Sequence, residues 1–144
     1  MNSVSGLRAR GERVAVWGIA GMCVVGVIVC LRVLLTGAPL VLHAAWALPH
    51  ASFSMAIDAL SAWFLLPLWV LGGAGAIYGR AYLAHAAPRK IAAAWWWYAW
   101  LIISMAVVFT ARNALLFLIA WEAMTVASFF LVMLDHEEPQ VRRA

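Results

Sequence analysis

This sequence predicts an all-α, polytopic transmembrane fold with four membrane-spanning helices, on three observations. Of the 144 residues, 67% are hydrophobic and 11% are charged, where soluble domains carry roughly 25% charged residues. Four apolar runs reach the length of about 20 residues that a helix needs to cross a hydrocarbon core of about 30 Å. The basic residues stand singly or in small groups between those runs. A water-soluble domain of this size would expose large apolar patches, so lipid is the expected main solvent.

Residues 1–13 form a basic segment containing Arg8, Arg10 and Arg13. The first helix is expected over Val14–Leu35, broken only by Arg32 near its end, where a long side chain can snorkel to the headgroups. Its apolar stretch exceeds the roughly 7–15 residues of a signal-peptide core, so it is read as a retained anchor. Gly18, Gly21 and Gly26 suit close packing. Residues 36–57 hold Pro39, Pro49 and an alternating Phe53, Met55, Ile57 pattern, which reads as an extended, turn-containing extracytoplasmic loop.

The second helix is expected over 58–82, with Pro67 as a kink site and Gly75-x-x-x-Gly79 as a face for close helix contact. A short loop over 83–90 follows, carrying Pro88, Arg89 and Lys90 just beyond Arg80. The third helix, 91–110, opens on Trp95, Trp96, Trp97, Tyr98 and Trp100, an aromatic density that reads as an interfacial belt. Only Ala111 and Arg112 separate it from a fourth helix over 113–134, so these two form a tight antiparallel hairpin with Asn113 as cap. A polar tail occupies 135–144, its Asp135, His136, Glu137 and Glu138 cluster reading as a solvated loop.

Arg8, Arg10, Arg13, Arg80, Arg89, Lys90, Arg142 and Arg143 fall on one side of this arrangement, and Arg32 and Arg112 on the other. The positive-inside rule then places both termini in the cytoplasm. The net charge of +4 is thus topological, and no aromatic-interleaved basic stripe points to nucleic acid. Cys23 and Cys30 lie seven residues apart in the first apolar run, about 10.5 Å along a helix, too far to bridge. His43, His50, His85 and His136 form no metal-binding motif, and the sequence argues for no metal and no cofactor.

Glu122 is the residue most suited to chemistry. It sits nine positions into the fourth helix, about 13.5 Å deep and close to the bilayer midplane. A carboxylate there costs at least about 2.5 kcal/mol and marks a functional position by default. It can hold or release a proton as a cation approaches, which is what a proton relay requires. The structural alternative is a protonated Glu122 hydrogen-bonded across a helix interface. Thr125, Val126 and Phe129 share its helix face, and Thr125 can hydrogen-bond it. Asp58 is a helix cap or a secondary proton site. Arg112 and Arg80 read as interfacial anchors, with Arg112 a further secondary candidate.

The segment Ala111-Arg-Asn-Ala-Leu-Leu-Phe-Leu-Ile-Ala-Trp-Glu-Ala-Met-Thr-Val-Ala-Ser-Phe-Phe-Leu-Val132 resembles the glutamate-bearing fifth helix of the antiporter-like subunits of complex I and membrane hydrogenases. The variant is most similar to the antiporter-like members of the hydrogenase-4 and formate hydrogenlyase branch. Ile57-Asp-Ala-Leu-Ser-Ala-Trp-Phe-Leu-Leu66 resembles the start of the family's third helix, and His136-Glu-Glu-Pro-Gln-Val-Arg-Arg-Ala144 its exit from the fifth. The likeness covers roughly residues 53–144, and Val14–Leu35 aligns with the family's second helix. It implies that Glu122 matches an essential glutamate that works with a lysine on a later helix. The single lysine here, Lys90, falls in a loop.

The expected function is therefore that of the N-terminal part of a proton-translocating membrane subunit in an inner-membrane oxidoreductase complex, with other membrane subunits as partners. Redox catalysis would lie on those partners. A truncated structural or assembly subunit is the alternative, and a small independent transporter a weaker third.

Overall fold

The computed structural model describes residues 2–45, 52–83 and 87–134. Helix α1 spans Asn2–Thr36, strands β1 and β2 span Leu40–Ala45 and Ser52–Ile57, and helices α2, α3 and α4 span Ala59–Leu83, Pro88–Thr110 and Ala114–Met133. All four helices are long and apolar enough to cross a membrane, the relevant part of α1 being Gly11–Thr36. The described chain is thus mainly helical, and a helix satisfies its backbone hydrogen bonds internally, which any membrane-crossing segment requires.

The basic N-terminal segment, expected to lie outside the first helix, instead extends it to Asn2. The extension holds neither Pro nor a capping break, and its Arg and Glu residues are good helix formers. The far end stops at Gly37, whose φ of 67° lets its N–H reach back to the Val33 carbonyl at 2.9 Å. This left-handed C-terminal cap is open to glycine at little steric cost.

The segment after α1 folds into an antiparallel hairpin with Leu40 opposite Ile57 and His43 opposite Ser54. Its alternating pattern was legible as extended chain, but the strand pairing and its docking were not. Met55 forms a bridge with Ala111 between α3 and α4, and the Arg112 N–H donates to the Ser54 carbonyl at 2.9 Å. The hairpin thereby closes one end of the helix assembly.

Among the described residues, two buried clusters hold α1, α2 and α3 together. Val16, Ile19, Cys23, Ala76, Trp95 and Ile102 join α1, α2 and α3. Cys30, Val33, Ala62 and Leu65 join α1 to α2 nearer the hairpin, with Leu40, Ile57 and Phe109 packed around them. Helix α2 continues through Pro67 and supplies the close approaches through its glycines. A Cβ at Gly75 would collide with the Tyr98 hydroxyl, and one at Gly79 would sit 3.2 Å from the Trp95 ring. In turn, Tyr98 donates to the Gly72 carbonyl at 2.8 Å.

The aromatic run of α3 divides between two roles, where one interfacial belt was expected. Trp96 is 65% exposed but Trp95 only 5%. Trp97 stacks on Phe130 of α4 with ring centroids 4.4 Å apart. A helix turns by 100° per residue, so consecutive aromatics necessarily face the core, a neighbour and the outside in succession.

Candidate functional site

Helix α4 belongs to neither buried cluster. It packs against α3 and buries Leu116, Ala120 and Ala127, which share one stripe. Leu115, Leu118, Glu122, Thr125, Phe129 and Val132 recur at alternating three- and four-residue spacings on the far side, and all are exposed. Glu122 therefore points away from α1–α3, roughly 12 Å from the start of a helix about 30 Å long. Among the described residues it makes no hydrogen bond or ion pair. The expected Thr125 contact is not made: the Thr125 hydroxyl donates to the Trp121 carbonyl at 3.1 Å, and Ser128 donates to the Thr125 carbonyl at 2.8 Å. Back-bonding of this kind satisfies hydroxyls inside an apolar helix.

Asp58 and Arg112, distant in sequence, meet at the hairpin end. Asp58 Oδ1 accepts the Ser61 N–H at 2.8 Å, which caps α2, while Oδ2 lies 2.6 Å from Arg112 Nη2. Arg112 also reaches the Ser61 hydroxyl at 3.4 Å. Across the hairpin, the Ser54 hydroxyl and His43 Nδ1 lie 3.0 Å apart in a hydrogen bond. The Ser61 N–H and hydroxyl, and then Arg112, hold the Asp58 carboxyl at about 2, well below its usual 3.8. Asp58 is thus a charged, capping partner over the whole ordinary pH range. The helix-cap reading of Asp58 has its geometry here, and Arg112, read as an anchor, gains a specific partner.

Next to the pair, Asn113 accepts the Leu115 N–H at 2.8 Å and caps α4. The two polar features stay separate, since Arg112 precedes Glu122 by ten residues, about 15 Å along the helix. Ser54, Ser61 and His43 were not singled out as members of a site. The available signal was that Asp58 and Arg112, of opposite charge, were both assigned to the same membrane face. The Asp135–Glu138 cluster, His50, His85 and the stretch His136–Ala144 lie outside the described residues. Among the described residues, no three metal-binding side chains come together.

No family model matches the chain. Over 104 residues, 72% of its length, it is 30% identical to the uncharacterized protein Rv0083 of Mycobacterium tuberculosis strain H37Rv. It is equally similar to the uncharacterized protein MT0090 of Mycobacterium tuberculosis strain CDC 1551 / Oshkosh. The chain spans about 16% of the length of these curated relatives.

Proposed function

We propose that this chain forms part of a proton-translocating, antiporter-like subunit in a membrane oxidoreductase complex of the hydrogenase-4, formate hydrogenlyase or NADH dehydrogenase-like type. In this reading it spans the inner membrane with both termini in the cytoplasm, and other membrane subunits are its partners. The observation that carries the proposal is the placement of Glu122, half-way along an apolar helix and on the face that α1–α3 leave uncovered. A carboxyl group there is held against a desolvation penalty. Its outward position makes it available to a cation or a water chain supplied from elsewhere in a larger assembly. That the matched relatives are several times longer than this chain is consistent with such a source.

In the proposed cycle Glu122 takes a proton while no cation is near, and gives it up when a positive group approaches and favours the carboxylate. Oxidation and reduction occur on partner subunits. The test is Glu122→Gln in the protein assembled with its complex. Redox-driven acidification of inverted vesicles should be abolished while membrane insertion and electron transfer persist, and unchanged proton flux would refute the proposal.

A structural or assembly subunit is the second reading, favoured by the lack of a basic partner for Glu122 among the described residues. On that reading Glu122→Gln would weaken association with neighbouring subunits and leave the proton yield per electron unchanged.

A further inference from the structure

Helix α1 carries an outward stripe that matches the one on α4. Gly18, Gly21, Val25, Ile28, Arg32 and Leu35 recur at alternating three- and four-residue spacings and are all exposed, on the side away from the buried Cys23, Cys30 and Val33. No heavy atom lies within 4 Å of the Cβ positions of Gly18 and Gly21, so half of the stripe is an open groove. A cation, Arg32, stands near its other end. Like Glu122 on α4, the Arg32 side chain makes no hydrogen bond or ion pair among the described residues. Charged groups inside membrane helices are almost always paired or turned to water. Two unpaired charges of opposite sign on two outward faces therefore fit one another.

We infer that the outward face of α4 docks against the outward face of α1 in a second copy of this chain, with the second copy's Arg32 beside Glu122. Two copies inserted in the same sense set these helices antiparallel, because α1 runs toward the hairpin end and α4 away from it. Counted from the helix ends at the hairpin, Thr36 and Ala114, the two stripes fall into step. Gly18 lies level with Val132, Gly21 with Phe129 and Val25 with Thr125. Each glycine thus faces a large apolar side chain, a match of small with large that lets membrane helices approach closely. Arg32 is four residues from its helix end and Glu122 eight from its own, a difference of about 6 Å that the arginine stem spans. The contact joins two different faces, so it continues from copy to copy as a ring or a row. It also supplies the positive group that the proton-path reading calls for. Only that consequence rests on the reading, since the stripes match whether or not Glu122 carries protons.

The experiment is oxidative disulfide cross-linking of the full chain in native membranes, using Val25→Cys and Thr125→Cys. The variant with both should give a ladder of dimers and higher species. Neither single variant should give any, because position 25 meets position 125 and not itself. Cys23 and Cys30 are buried, and the unaltered protein is the control for them. Added to the double variant, Arg32→Gln should cut the yield at least about tenfold. Gly21→Leu keeps both charges and should abolish the ladder while the monomer stays folded, since nothing within the chain lies near that position. A dimer from either single variant would show a symmetric contact and overturn the inference. Absence of a ladder, the result if lipid or another helix covers α4, would overturn it too, as would a ladder that survives Gly21→Leu or Arg32→Gln. Loss of the contact would leave the proton path standing, whereas a ladder together with unchanged proton flux in Glu122→Gln would uphold the contact and refute only the path.

Discussion

Asp58 does two jobs at one position. Its first oxygen caps α2 and its second pairs with Arg112, so substitutions should separate the two. Asp58→Asn keeps a cap and loses the ion pair, and with both partners about 40% exposed it should cost no more than about 1 kcal/mol. Asp58→Ala loses both and should cost about 1–2 kcal/mol. Unfolding in detergent, with Arg112→Ala and the double variant to complete a cycle, checks the difference. The carboxyl's pKa falls on folding, so its stabilisation is fully present above about pH 4 and disappears as the pH drops toward 2. A thermal-melt series over that window should show a decline that Asp58→Asn lacks. The sequence offered each of these residues a generic role, cap or anchor. That they form one pair depends on folding, because 53 positions lie between them.

The packing of α2 sets the behaviour at the scale of an element. Glycine at 26 lets α1 lie against the face of Trp69, where a Cβ would sit 2.5 Å from the ring. Gly26→Ala should therefore push the two helices apart or displace Trp69, at about 1–3 kcal/mol. Gly18, with nothing near its Cβ position, should accept alanine with no loss. Comparing the two variants by thermal unfolding distinguishes steric packing from helix propensity, which favours alanine at both. The glycines of α1 were legible as candidates for close packing, but nothing local distinguishes Gly26 from Gly18. Which one matters depends on the bulky side chain that the neighbouring helix brings up to it.

For the whole molecule, the arrangement places the hairpin at one end of the helices and the Arg80, Arg89 and Lys90 group at the other. Single cysteines at Leu42 and at Arg89 should therefore label from opposite sides of a sealed vesicle with an impermeant maleimide. Cys23 and Cys30, both free and buried between helices, should stay unlabelled until the protein is denatured. Labelling of both introduced positions from one side would contradict a four-span topology. By itself, the sequence determined the number and approximate position of the helices, because length and hydrophobicity are local properties that a lipid solvent reads segment by segment. It also marked Glu122, since one carboxyl group in an apolar run stands out without any neighbour. Only the tertiary structure decided that Glu122 faces away from α1–α3, that Asp58 meets Arg112 and that the aromatic run of α3 divides between core and surface. Each of these depends on which side of a helix another helix covers, and the low amphipathicity of membrane helices leaves that choice to packing between distant residues.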